Sequence, residues 1–186
     1  ALVSAAKLLR KLHDSTATFV SNIEPSHLPW MLEPREPFEV ICHGDFTPYN
    51  VALTGDVVSG VFDFDTSHPA PRIWDLAYSL YCWAPFKTDS VDKLGSIEDQ
   101  TTRARVFCDS YCASLAQREQ LADYMVIRLN ALVSFMRQEG ASGSEQFSEN
   151  IEHGHLQSYL DDINTLSTIS KKFSARCATN KHSKHT

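Results

Sequence analysis

The sequence predicts a mostly helical α+β domain in which a short β-hairpin packs against helices. Hydrophobic residues recur at helical spacing at the start of the chain and through its second half, whereas short β-like runs are confined to residues 38–64. Strands and helices do not alternate along the chain, so the sequence does not predict a parallel sheet. With 186 residues, 42% of them hydrophobic, the chain is long enough for one globular domain with a sizeable core.

The charge and composition exclude several classes of partner. A net charge of −6 without a basic stripe argues against nucleic-acid binding. No apolar run approaches the length of about 18 residues that spans a bilayer, so we expect no membrane partner. The five cysteines form no CxxC pair, which is typical of reduced thiols. We therefore expect a cytoplasmic protein.

The first residues predict an amphipathic helix over 1–14, whose apolar positions are Leu2, Ala5, Ala6, Leu9 and Leu12. The chain opens on Ala1 rather than Met, already inside this helical pattern. We interpret this start as a sign that the chain is a piece of something longer. Four prolines between residues 24 and 37 then predict a connecting loop.

Three β-like runs follow, at 38–42, 50–53 and 57–64, and Gly55-Asp56 between the last two predicts a two-residue hairpin turn. Such a turn pairs Thr54 with Val57 and sets Asn50 opposite Val61. Asp63 is then the diagonal neighbour of Asn50 on the same face, while Phe64 points into the core.

The rest of the chain predicts helices. One begins after Pro71, and three more are expected at about 97–116, 118–138 and 147–169, with a polar linker at 139–144 before the last. Residues 171–186 are polar and basic, so we expect a frayed tail there and a folded domain over 1–170.

The segment His43-Gly44-Asp45-Phe46-Thr47-Pro48-Tyr49-Asn50 carries the strongest chemical signal. It has the spacing H-x-D-x-x-x-x-N, which phosphoryl transfer uses in kinases. Asp45 would accept or orient the proton of an attacking hydroxyl, while the Asn50 oxygen would hold Mg²⁺. Asp63 is a candidate second metal ligand, and Asp65 could join the metal shell directly or through water.

Three motifs in this order resemble a known family: HGDFTPYN at 43–50, VFDFD at 61–65 and PRIWDLA at 71–77, with LLRKLHD at 8–14 as a weaker fourth. They resemble the aminoglycoside phosphotransferases and their choline-kinase-like relatives, which share the protein-kinase fold. The resemblance implies the C-terminal catalytic lobe of that fold. It also implies ATP or another nucleoside triphosphate, Mg²⁺, and a small-molecule hydroxyl acceptor.

By the same resemblance, Asp45 is the catalytic base, and Asn50 and Asp63 are the magnesium ligands. Asp75 braces the catalytic loop, which His43 and Gly44 shape. Two features depart from the family pattern. Tyr49 stands where many relatives have glycine, and the chain has neither G-x-G-x-x-G nor a strand-borne basic residue for the phosphates. We therefore expect the N-terminal nucleotide lobe to be missing and to act as a partner.

Other interpretations remain open for these residues. Asp45 could accept a hydrogen bond from a nearby backbone N–H as a loop cap. Asp63 and Asp65 could be solvated carboxylates at the end of a strand. Asp75 could complement a helix dipole. His13 is expected to be a packing histidine. Asp63-Phe64-Asp65 also resembles the DxD metal site of glycosyltransferases, and the missing lobe is equally compatible with an inactive, kinase-like binding module.

Overall fold

Six α-helices and two small β-sheets make up residues 1–178, the part of the chain that the computed structural model describes, apart from the side chains at 26 and 169–178. The helices are α1 (Leu2–Val20), α2 (Arg72–Trp83), α3 (Ile97–Tyr111), α4 (Leu115–Ala141), α5 (Glu145–Glu152) and α6 (His155–Ala178). The strands are β1 (Val40–Cys42), β2 (Val51–Thr54), β3 (Val57–Val61) and β4 (His68–Ala70). The predicted mostly helical α+β class is confirmed.

The four strands form two nested antiparallel pairs. β1 pairs with β4, and the hairpin of β2 and β3 lies between them in the sequence. The loop from β1 to β2 (residues 43–50) and the loop from β3 to β4 (residues 62–67) are therefore brought side by side. These two loops carry the residues that the sequence singles out for chemistry.

The predicted two-residue turn is confirmed, because Thr54 pairs with Val57. The predicted register beyond it is wrong, since a β-bulge leaves Ser59 unpaired between Val58 and Gly60. The Ser59 hydroxyl donates to the Ala52 carbonyl at 3.3 Å, so a side chain supplies a hydrogen bond there.

As a result of the bulge, Val61 lies opposite Val51 rather than Asn50, and the Phe62 N–H donates to the Asn50 carbonyl. Asp63 is thus not the diagonal strand neighbour of Asn50. The strand ends at Val61, and Asp63 adopts a left-handed backbone with φ of 64°. Phe64 does not enter the core: its side chain is 47% exposed and its ring packs against His43.

Several helix boundaries also differ from the predictions. α1 continues to Val20, and the boundary between α3 and α4 lies at Cys112, a left-handed residue, and at Ser114, which caps α4 with Gln117. The last predicted helix is two helices separated at Gly154, which has a positive φ. α6 then extends to Ala178, so residues 171–178 are helical; the rest of the predicted tail lies outside the described residues.

The core forms where α2 is enclosed by its neighbours, and ten of its twelve residues are buried. α4 packs along α2 and α6, while α1 packs along α3 and against β1 and β3. Among the described helices, none combines the length and apolarity that a membrane span requires. Because α2 begins directly after β4, its buried first turn lies beneath the two site-bearing loops.

Candidate functional site

Asp75, in the first turn of α2, is the centre of the hydrogen-bond network under the 43–50 loop. Its Oδ2 accepts from the His43 N–H at 2.7 Å, and its Oδ1 accepts from the Gly44 N–H at 3.1 Å. The Nε2 of His13, from α1, lies 3.0 Å from Oδ2. Burial by itself raises the pKa of Asp75, but the hydrogen bonds from the His13 side chain and the His43 backbone N–H lower it to about 2.

His43 connects the two site-bearing loops. The Asp45 N–H donates to Nδ1 of His43, so that nitrogen carries no proton and Nε2–H donates to the Phe62 carbonyl at 3.0 Å. The ring therefore joins the start of the 43–50 loop to the end of β3. This bond holds the segment that carries Asp63 against the segment that carries Asp45.

Gly44 allows the two loops to approach closely. Its φ is +84°, and a Cβ at this position would lie 2.3 Å from the carbonyl oxygen of Thr66. Thr66 in turn donates its hydroxyl to the His43 carbonyl at 3.0 Å. Only glycine fits both the backbone conformation and the available space.

Asp45 is half-buried, and only one of its two carboxylate oxygens is hydrogen-bonded within the described residues. Its Oδ2 accepts from the Asn50 Nδ2 at 2.9 Å, whereas its Oδ1 is buried and has no hydrogen-bond partner in the described residues. Burial raises the pKa of Asp45, against the opposing effects of the Asn50 hydrogen bond and of the Arg128 charge. The negative charge of Asp63 raises it further.

The metal-ligand candidates divide into a buried amide and exposed carboxylates. Asn50 is buried and turns its nitrogen toward both Asp45 acceptors, the backbone carbonyl and Oδ2, so its Oδ1 is left for another partner. Asp63 and Asp65 are exposed. These oxygens suit Mg²⁺, which binds proteins through one or two carboxylates and keeps water or phosphate as its other ligands.

Among the described side chains, the group of three or more His, Cys, Asp or Glu residues with ligand atoms within 4.8 Å of one another is His13, Cys42 and Asp75. This group is a hydrogen-bond network rather than a metal centre. His13 also contacts the Tyr111 hydroxyl at 2.6 Å, and burial raises the pKa of the Cys42 thiol, which keeps it protonated. The expectation of a packing role for His13 agrees with these contacts.

A cavity of about 910 Å³ opens beside Asp45. Its wall is made by the 31–35 segment, the 43–50 loop and helices α2, α4, α5 and α6. Tyr49 lines the cavity while remaining 67% exposed, so its ring extends the wall. Asp45 thus lies next to a space large enough for a small molecule.

Sequence reasoning missed Arg128 and Arg35, which line the same cavity. Arg128 lies on α4 and donates to the Gly44 carbonyl at 2.8 Å, so it holds the loop from the side opposite Asp75. The available signal was its position, three residues after buried Met125 and one before buried Leu129, where a charged residue is unusual. Arg35 lies in the proline-rich segment, and no sequence pattern marked it.

Comparison with known proteins identifies the family to which the chain belongs. A family model described as the phosphotransferase enzyme family (APH) matches residues 1–106, which is more than half of the chain. The chain belongs to this phosphotransferase enzyme family. The resemblance derived from the motifs at 43–50, 61–65 and 71–77 is confirmed, and membership in the phosphotransferase enzyme family indicates a kinase-like fold.

One curated relative of this chain is the trifolitoxin immunity protein of Rhizobium leguminosarum bv. trifolii. It is 27% identical over 123 residues, which are 64% of this chain and 47% of the relative. The chain therefore spans about half the length of this relative. No solved structure matches the chain.

Proposed function

We propose that the chain is the catalytic lobe of an ATP- and Mg²⁺-dependent phosphotransferase that acts on a hydroxyl group of a small molecule. The observation that carries this proposal is the asymmetry of Asp45. One carboxylate oxygen accepts a hydrogen bond from Asn50, the other has no hydrogen-bond partner among the described residues, and Asp45 lines an open cavity. A carboxylate in this state is ready to accept a hydrogen bond from an acceptor hydroxyl.

In the proposed reaction, Asp45 Oδ1 orients the acceptor hydroxyl and takes its proton as the new O–P bond forms. The bond between the γ-phosphorus and the bridging oxygen breaks, and ADP leaves with the electron pair. Transfer of this kind depends mainly on positioning and on electrostatic stabilisation. The raised pKa of Asp45 makes it a better proton acceptor than an exposed aspartate.

The proposed Mg²⁺ ligands are Asn50 through Oδ1 and Asp63 through its carboxylate, with Asp65 in contact directly or through water. When bound, the ion would neutralise charge that develops on the phosphates. The contribution of the protein is the orientation of these ligands. His43 and the left-handed backbone of Asp63 hold the carboxylate segment beside Asn50 and Asp45.

We further propose that a second lobe holds the nucleotide from the other side. The sequence contains no G-x-G-x-x-G with which to cover the phosphates, and the chain spans about half of its curated relative. Phosphoryl transfer needs the phosphates held on both sides, so the chain without this partner would bind ATP weakly. ATP and Mg²⁺ are most readily supplied in the cytoplasm, the location that we propose.

The absence of a phosphate-covering motif favours one second candidate, an inactive kinase-like module that binds the small molecule without phosphorylating it. Membership in a phosphotransferase family argues against a glycosyltransferase. The name of the relative, trifolitoxin immunity protein, is compatible with either candidate.

The test is phosphoryl transfer from labelled ATP to a panel of hydroxyl compounds, using protein expressed from the complete source gene. Asp45→Asn is expected to lower turnover by about 10²-fold or more while Mg²⁺-ATP binding stays nearly unchanged. Asp63→Ala is expected to weaken Mg²⁺-ATP binding itself. Asp56→Asn, in the exposed hairpin turn, is the matched control and should change neither quantity.

Full turnover by Asp45→Asn would contradict the assignment of the base. If the wild-type protein bound ligands in the cavity but transferred no phosphate to any acceptor, the binding module would be supported instead. Robust turnover by the 186-residue chain alone would remove the need for a second lobe.

A further inference from the structure

The cavity beside Asp45 contains two arginines that have no acidic partner among the described side chains. Arg128 is 5% exposed and donates a hydrogen bond to the Gly44 carbonyl, while its Nε is buried and has no hydrogen-bond partner in the part of the chain that the structure describes. Arg35 is half-buried, and its backbone N–H donates to the Pro69 carbonyl. Among the side chains described in residues 1–168, no ion pair within 4.0 Å involves either guanidinium group.

The two guanidinium groups are brought to the same place by Trp74. The Cζ of Arg35 lies 4.0 Å from the centroid of the Trp74 ring, and the Cζ of Arg128 lies 5.2 Å from it. Arg128 also lies over the Tyr78 ring, at 4.4 Å. Aromatic faces hold cations in position without neutralising their charge.

The indole of Trp74 is itself fixed. Its Nε1–H donates to Nε2 of His68 at 3.0 Å, and Nδ1 of His68 lies 2.8 Å from the Thr66 carbonyl. An indole nitrogen only donates, so His68 accepts at Nε2 and carries its proton on Nδ1. The platform for both arginines is therefore built from uncharged groups and supplies no counter-charge.

The two positive charges act on each other. Burial lowers the pKa of Arg35, and the charge of Arg128 lowers it further; Glu33 opposes this only in part. Glu33 is exposed, and Glu139 also lines the cavity. The positive charge of Arg128 lowers the pKa of Asp45. Asp45 does not neutralise Arg128 by direct contact, because its Oδ2 accepts from Asn50 and its Oδ1 has no hydrogen-bond partner among the described residues.

We propose that Arg35 and Arg128 form a binding site for an anionic group of the acceptor, so the substrate is a hydroxy compound that carries a carboxylate or a phosphate. This inference rests on the proposed function for the hydroxyl that Asp45 receives. Arg35 is the direct contact, because the residue is only half-buried and its guanidinium group makes no hydrogen bond within the described residues. Arg128 is more deeply buried and donates a hydrogen bond to Gly44, the residue before Asp45. It contributes positive electrostatic potential to the anion site.

The arrangement also limits the size of the acceptor. Arg128 is bonded to the carbonyl of Gly44, and Asp45 is the next residue, so the anion and the reacting hydroxyl are held close together. A compact hydroxy acid or phosphorylated alcohol fits this spacing. A cationic acceptor would instead meet two unpaired arginines, which repel it.

The test compares the binding of four compounds of similar size to the 186-residue chain by titration calorimetry in low-salt buffer without nucleotide. Glycerate and glycerol 3-phosphate carry an anion, glycerol is neutral, and 2-amino-1,3-propanediol is cationic. An anionic compound is expected to bind about tenfold or more tightly than glycerol, because charge-assisted hydrogen bonds are the stronger kind. The preferred anionic compound distinguishes a carboxylate from a phosphate as the group recognised.

Arg35→Gln is expected to abolish this preference for anions while the fold, checked by circular dichroism, is retained. Arg137→Gln replaces an exposed arginine of α4 as the matched control and should keep the preference. Tighter binding of glycerol or the cationic compound, absence of anion binding, or an unchanged preference in Arg35→Gln would overturn the proposal.

The outcome is separable from that of the proposed function. The anion site is tested by binding without nucleotide, so its outcome does not depend on phosphate transfer. Anion binding without phosphate transfer by the complete protein would contradict the proposed reaction alone. Phosphate transfer only to neutral or cationic acceptors would contradict the anion site alone.

Discussion

Asn50 donates its side-chain amide to Oδ2 of Asp45 at 2.9 Å and to the backbone carbonyl of the same residue at 3.0 Å. These two bonds close the 43–50 loop on itself and fix one oxygen of the proposed base. They also determine the direction of the Asn50 side chain, since both acceptors must meet its nitrogen. The side-chain amide of Asn50 thus holds the proposed base through its nitrogen and leaves its oxygen for the proposed metal.

Asp45→Asn is expected to raise thermal stability at neutral pH even as it removes activity. Burial raises the pKa of Asp45, so its contribution to stability is greatest below its unfolded value of 3.8 and is lost as the pH rises through the folded pKa. Asparagine keeps an oxygen to accept from Asn50 but carries no charge. Thermal unfolding at pH 5 and pH 8 should show a larger gain at pH 8, and Asp56→Asn should show none. A fall in melting temperature at pH 8 would contradict the argument.

Asp75→Asn is expected to destabilise the fold by about 2–4 kcal/mol, because one of the buried N–H groups of His43 and Gly44 loses its acceptor. The pKa of Asp75 is lowered to about 2, so its contribution is complete above 3.8 and is lost as the pH falls toward 2. Urea unfolding at neutral and acidic pH measures both effects. Asp123→Asn, on the exposed side of α4, is the control. Equal stability of the two variants would rule out a bracing role for Asp75.

Gly44→Ala and Gly55→Ala form a matched pair. Both positions have a positive φ, of +84° and +57°, but a Cβ at 44 meets the Thr66 carbonyl at 2.3 Å, whereas nothing lies within 4 Å at 55. Gly55→Ala should cost only the left-handed backbone penalty of about 1–2 kcal/mol. Gly44→Ala should lower the free energy of unfolding by several kcal/mol more, or prevent folding, because the backbone at Thr66 would have to move. Similar melting temperatures for the two variants would show that the loops are not in close contact.

His68 should make the fold sensitive to mild acid. Burial lowers the pKa of His68 below 6.5, so its contribution to stability is complete above that value and is lost as the pH falls through the folded pKa. Protonation also removes the acceptor for the Trp74 N–H. His68→Gln should reduce the loss of stability between pH 6.5 and 5 in thermal unfolding, whereas His27→Gln, at an exposed position, should leave the loss unchanged. An identical pH dependence for His68→Gln and the wild type would exclude this role.

Local patterns predicted the helical class, the two-residue hairpin turn and the segments that form the site. They did not predict the register beyond that turn, because the bulge depends on a hydrogen bond from the Ser59 side chain to the opposite strand. β4 was missed because Pro69 lies in its centre; a two-stranded pair tolerates a proline, which only the pairing with Ile41 reveals.

The arginines of the cavity illustrate a second limit of sequence reasoning. Arg128 and Arg35 are 93 residues apart in sequence by their numbering and meet only because α4 and the proline-rich segment both pack against Trp74. No local spacing encodes such a meeting. By contrast, Asp45 and Asn50 lie within one loop, so their relationship could be deduced from spacing alone.

The hydrogen bonds of Asp75 bring together α1, α2 and the 43–50 loop, through His13 at one side and the backbone of His43 and Gly44 at the other. The proposed base therefore reaches its final position only after the first helix of the chain has docked onto a helix more than fifty residues away. During synthesis, the order of events follows from this dependence. The amino-terminal helix can make this contact only once α2 has been synthesised, so the 43–50 loop gains its support from α1 late.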